Sequence, residues 1–302
     1  MSKINCPICF KRPTRAKYSN SVVKKSGFFY RSSDRKSVQR YYCSDCKKHF
    51  SSATFGDCFK QKKRHMNSKI ARLLVGVVSL RESARILKID RKTVARKLIF
   101  MGRRAELDLK KFNAKFPKAK HVVFDDLETF EHTKCKPVSI GLMVEEETRR
   151  ILGYNVARMP AKGLLAKISV AKYGKRVDER PKKRTELFTY LSSLVEEESI
   201  IKSDECPYYF KYIIRHFPKA GHIKFKGRAS AIVGQGELKK VGFDPLFAIN
   251  HTCATLRART CRLIRRTWCT TKKPEMLNLH LAIVCLHHNL NLKKLNQALA
   301  AG

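Results

Sequence analysis

The chain has 302 residues, 43% of them hydrophobic, which is enough for a buried core and for two or three domains. Its 65 Lys and Arg face only 25 Asp and Glu, giving a formal net charge of +40. The composition excludes a disordered chain, and so large an excess of one sign calls for a polyanionic partner.

No apolar run approaches the roughly 18–20 residues of a membrane span, so nucleic acid is a better partner than a lipid surface. The opening MSKINCPICFKRPTR lacks the apolar core of a secretory signal, which predicts a cytoplasmic protein. In that reducing setting the eleven cysteines are expected as thiols or metal ligands, not disulfides.

Two CxxC pairs, Cys6 with Cys9 and Cys43 with Cys46, have the spacing of a tetrahedral zinc site. Phe28, Phe29, Tyr30, Tyr41 and Tyr42 read as strands between them. Four thiolates leave no open position on the ion, so this Zn2+ is expected to be structural.

A helical face follows at Ile70, Leu73, Leu74, Val77 and Val78. Ser79 is placed to cap a second helix and Asp90 a third. The third opens with Arg91, Lys92 and Thr93, then Arg96 and Lys97, side chains suited to the major groove if this is a helix-turn-helix. Residues 110 to 120 are basic, contain Pro117 and read as a linker.

Val122–Phe124 is a short strand closed by Asp125 and Asp126. VSIGLMV (138–144) and ILGYNV (151–156) follow as a hairpin. An amphipathic helix over 186–197, a strand ending in Lys202-Ser203-Asp204, a helix over 207–217 and a strand over 222–226 come next. The stretch 244–268 is helical in pattern, with Asp244 as its cap. The order describes a mixed sheet with helices packed on it. Acids at strand ends can converge on a pair of divalent cations, and oxygen ligands favour Mg2+ or Mn2+.

VVFDDLETFEH, IKSDECPYY and NHTCATLRARTCRLIRRTWCTTKKPE, placed behind a zinc module and a helix-turn-helix, resemble bacterial insertion-sequence transposases with an RNase H-like DDE domain. The resemblance covers nearly the whole chain. It implies an α+β multidomain protein: a zinc ribbon over 1–60, a helix-turn-helix over 61–110, a linker over 111–120, an RNase H-like mixed sheet flanked by helices over 121–270, and a C-terminal helical extension over 271–302. It implies metal-dependent DNA cleavage and strand transfer by a nucleoid-associated homo-oligomer acting on element ends and a target duplex. By that match Asp125 and Asp204 are the first two catalytic acids and magnesium ligands. The family's third residue, usually Glu, falls on Asn250, with Arg257 two turns on. Glu237 is the rival, since it supplies the missing charge.

Arg257, Arg259, Arg262, Arg265 and Arg266 read as one phosphate-binding helix. The basic segment 171–184 reads as an exposed loop, and Trp268 as core in preference to a base-stacking residue. His287 and His288 on an apolar helix read as structural, and Cys135, Cys206, Cys253, Cys261, Cys269 and Cys285 as small core residues. The alternatives to a transposase are a zinc-dependent DNA-binding regulator, a catalytically inactive relic, or a nuclease on other nucleic acids.

Overall fold

A computed structural model describes residues 4–9, 23–32, 34–226, 244–265 and 268–301, with side chains in the last stretch up to Leu292. Glu237 and Arg266 lie outside the described residues. The chain divides into two compact units, 1–69 and 70–302.

The first unit holds an antiparallel sheet of β1 (Val23–Arg31), β2 (Lys36–Cys43) and β3 (Lys48–Ser51), in that order. Tyr41 and Phe50 pair across β2 and β3, with ring centroids 5.4 Å apart, and close a small core over the cysteines. The aromatic runs form strands as expected.

α1 (Asn67–Val75) begins in the last residues of the first unit, and the second unit continues with α2 (Leu80–Ile86) and α3 (Arg91–Asn113). Both expected caps are made. Ser79 Oγ accepts from the Glu82 N–H at 3.1 Å, and Asp90 Oδ1 from the Lys92 N–H at 2.7 Å. Val77 and Val78 do not extend α1, because Val77 takes a left-handed φ of 68° in the turn that follows it.

The linker expected over 111–120 is absent as such. α3 continues to Asn113, and the next strand starts at Ala119. Leu109 and Phe112 are buried and carry the apolar face of α3 onward, so the helix runs until Pro117 forbids more. α3 packs along α8 (Pro274–Ala301) so closely that a Cβ on Gly102 would lie 2.7 Å from Leu279 Cβ. Part of the expected C-terminal extension is therefore core: Leu277, Leu281, Ala282, Val284 and Cys285 are fully buried. His280 and His288 are structural, bonding the carbonyls of Leu74 and Arg149.

The sheet has five strands in the order β6-β5-β4-β7-β8. β4 (Ala119–Phe130), β5 (Pro137–Glu145) and β6 (Ile151–Arg158) form an antiparallel meander, and β7 (Val195–Asp204) and β8 (Gly221–Phe225) add in parallel. The unbroken apolar runs of β4 and β5 mark them as central strands, covered on both faces. α5 (Arg180–Leu191) and α6 (Phe210–His216) cover one face, where Phe124 meets Phe188 and Tyr209 edge-on at 5.0 and 4.9 Å. α7 (Phe247–Arg259) lies against β4 and β5. α4 (Leu165–Tyr173) is an additional short helix.

Two helix ends depart from the sequence pattern. The helix expected over 186–197 starts at Arg180 and stops at Leu191, because Val195 already belongs to β7. The helix expected to Trp268 stops at Arg259, where Thr260 turns extended (φ −129°, ψ 103°). Among the described residues no helix is long and apolar enough to cross a membrane.

Candidate functional site

The cysteine cluster is built by two turns. Cys43 ends β2, and the turn that returns the chain into β3 passes through Cys46 and Lys47, whose φ of 52° is left-handed. The Cys6–Cys9 turn faces it. Cys6 Sγ lies 3.6 Å from Cys46 Sγ, and Cys9 Sγ 3.8 Å from Cys43 Sγ, with all four sulfurs within 4.8 Å of one another. Zn–S bonds of about 2.3 Å in a tetrahedron put sulfurs about 3.8 Å apart, so the donor set and spacing fit zinc.

The second arrangement is set by strand register. Phe124 on β4 pairs with Ser203 on β7, in parallel. Asp125 and Asp204 each follow that pair, so they stand side by side on neighbouring strands about 4.8 Å apart. Phe124 points to the α5 side, so alternation turns Asp125 to the opposite face, that of α7, while Asp204 at the end of β7 is close enough to feel both Asp126 and Arg184. Asp126 returns to the α5 side, where it forms an ion pair with Arg184. Arg184 is buried, and its guanidinium lies 5.0 Å from the Tyr209 ring centroid.

Burial is the main force on the Asp125 carboxyl. Reinforced by the charges of Asp204 and Asp126, it pushes the group up to about 7. The Asp126 N–H, at 2.7 Å from Asp125 Oδ1, and the Tyr209 hydroxyl, at 3.5 Å, oppose this. Asp204 is also raised, by burial and by Asp126, while its Oδ1 accepts from the Cys206 N–H at 3.1 Å. On α7, Cys253 senses the Asp125 charge after its own burial, and Arg257 is exposed one turn further on.

Asn250, exposed on α7, donates from Nδ2 to Asp244 Oδ2 at 3.0 Å. Positions 250, 253 and 257 share a helical face. Asp244 caps the turn as expected, accepting from the Leu246 N–H at 3.0 Å. Among the described residues, the cysteine cluster is the only group of three or more His, Cys, Asp or Glu ligands close enough to share an ion.

Other expected contacts divide. Arg91, Lys92 and Arg96 are exposed at the start of α3, and Thr93 is half-buried. Lys97 is only 4% exposed, on the face shared with Val94 and Leu98, so it is not available to a phosphate in this arrangement. Arg262 and Arg265 lie past the end of α7. Arg262 is half-buried and bonds Thr271 Oγ1 at 3.3 Å, while Arg265 is exposed and bonds the Glu128 carbonyl at 2.8 Å. The basic stretch 171–184 is not one exposed loop: Arg176 pairs with Glu131 at 2.7 Å, and Arg184 is interior. Trp268 is not core; it is 77% exposed. Sequence reasoning missed Arg184 and Tyr209. Tyr209 lies inside IKSDECPYY, but nothing local marks Arg184 apart from the lysines beside it.

No protein-family model matches the chain, and no curated protein does either.

Proposed function

We propose that the chain is a DNA transposase that binds element ends and carries out metal-dependent strand cleavage and strand transfer on an RNase H-like domain. The register of β4 and β7 supports the reading, because Asp125, within β4, and Asp204, at the end of β7, each directly follow the paired residues Phe124 and Ser203. The sheet, an antiparallel meander extended by two parallel strands, fits the mixed sheet expected of an RNase H-like domain.

The two acids offer hard oxygen donors that suit Mg2+ or Mn2+. Their burial and mutual repulsion are what a divalent cation relieves. Asn250 adds a carbonyl oxygen, its amide nitrogen being engaged by Asp244. When bound, such cations stabilise the charge of an in-line phosphoryl displacement. The chain's own groups orient the rest. The Asp126 N–H and the Tyr209 hydroxyl hold Asp125 Oδ1, and Arg257 and Arg265 meet backbone phosphates. Arg91, Lys92 and Arg96, with the zinc module, grip the duplex, and two ends call for a homo-oligomer on DNA.

The test uses DNA that carries the sequences flanking the gene. With Mg2+ or Mn2+ the full chain is expected to nick these ends and join the freed 3′-hydroxyl to a second duplex. Asp125→Asn and Asp204→Asn should bind the same DNA and do neither; nicking at the wild-type rate by both variants overturns the reading. One observation favours a second reading: among the described residues no third His, Cys, Asp or Glu joins Asp125 and Asp204 in a group close enough to share an ion. Under that reading the protein is a zinc-dependent DNA-binding regulator or an inactive transposase relic. It then binds DNA with a steep salt dependence and nicks nothing.

A further inference from the structure

Trp268 is the only tryptophan of the chain, and it is 77% exposed. An indole gains by leaving water, so a well-anchored segment that displays one needs a reason. The anchors here are specific. Leu263 before it and Thr270 and Thr271 after it are buried, at 2%, 3% and 0% exposure. The Thr271 carbonyl accepts from the His132 N–H at 3.0 Å, and its hydroxyl donates to the Lys273 carbonyl at 2.7 Å. Arg265 reaches back to the Glu128 carbonyl at 2.8 Å.

These bonds hold Arg265 and Thr271, on either side of Trp268 in the chain, beside the end of β4. Glu128 is three residues past Asp125, a step of about 10 Å along a strand. The exposed indole and Arg265 therefore sit within reach of a short stretch of nucleic acid that touches Asp125. A protein partner has no chemical advantage at an exposed aromatic three residues from the exposed Arg265, and a second copy of so basic a chain would bring more positive charge to the same place. An unpaired base, with a π-face and a flanking phosphate, matches both features.

We infer that Trp268 is a base-stacking residue, its indole receiving an unpaired base of the DNA strand that crosses Asp125 and Asp204. Arg265 and Arg257 hold the phosphates on either side. The inference rests on reading the carboxylates as the strand-cleavage site, but its test needs no cleavage.

Because Trp268 is the sole tryptophan, the emission of the full chain reports on this position alone. The titration uses Asp125→Asn protein without added Mg2+. The probes are a short single-stranded oligonucleotide, a perfect duplex, and the same duplex with one bulged base. Quenching by the single strand and by the bulged duplex, with little from the perfect duplex, is expected. Trp268→Ala should weaken single-strand binding about tenfold, and Trp268→Phe should weaken it less. Emission unmoved by the single strand, or moved equally by the perfect duplex, overturns the inference. The quenching arm keeps the native side chain, so misfolding of a variant does not decide the result. Quenching in a protein whose wild type never nicks DNA overturns the catalytic reading alone, and nicking without quenching overturns only the stacking role.

Discussion

The two candidate ion sites are built on opposite principles. The four cysteines meet within 4.8 Å, two from each of two tight turns, and complete a coordination sphere from protein alone. The carboxylates come from β4 and β7, nearly eighty residues apart in sequence, and among the described residues no third ligand joins them closely enough to share an ion. A closed thiolate sphere holds a module together and admits no substrate. An open pair of acids repels itself, and on the proposed function that repulsion is what a divalent cation would relieve.

The largest effect should separate the two sites outright. Cys43→Ser removes one ligand of a complete set. Structural zinc of this kind contributes about 10–16 kcal/mol to folding, so the ribbon should release its ion and unfold. Metal analysis and proteolysis of residues 1–69 check this, and residues 70–302 should stay protected. Retention of one zinc per chain by the variant would break the contrast. At the other site, Asp125→Asn or Asp204→Asn should lower DNA cleavage on the order of a thousandfold or more, leaving DNA affinity nearly unchanged.

Arg184 sharpens the comparison from the inside. Arg184→Met leaves Asp126 buried without its partner, which should cost about 3–5 kcal/mol in urea unfolding. Asp126→Asn in the same chain should restore most of that loss. If it does not, Arg184 serves packing against Tyr209 and Tyr212 instead of charge. A smaller change is expected at Asn250. Asn250→Ala should reduce metal-dependent cleavage by about 10–100-fold, and Asn250→Asp should be less damaging, as a rate series against Mg2+ would show.

The smallest effect is on pH. The folded Asp125 carboxyl lies at about 7, above its ordinary 3.8, so folding favours the protonated form. Its stabilisation is full below about pH 4 and is lost as pH rises towards 7. Without added Mg2+, the melting temperature should therefore fall over that window more steeply in the wild type than in Asp125→Asn. Equal slopes would remove Asp125 as the strained group.

What was legible in the sequence follows from range. The cysteine turns, the Ser79 and Asp90 caps and the strands of the meander are governed by neighbours a few residues apart, and their residues state them directly. Strand alternation likewise separates Asp125 from Asp126 once β4 is recognised. Tertiary packing is what the pattern hides. Lys97 looks like its exposed neighbour Arg96 until α3 is placed against the rest of the helical bundle. Arg184 reads as one more cation in a basic run, although it is the buried counter-ion of Asp126. The break at Thr260 carries no proline or glycine, so the arginines beyond it looked helical. Tryptophan is usually core, and only its 77% exposure in the fold shows that Trp268 is not.

The central claim is that Asp125 and Asp204 form an ion site separate from the cysteines. Manganese binding to zinc-loaded protein, followed by electron paramagnetic resonance in the absence of DNA, tests it most directly. The wild type should bind Mn2+ beyond its zinc, and Asp125→Asn and Asp204→Asn should each weaken that binding at least about tenfold. Manganese binding that is unchanged in both variants would contradict the account.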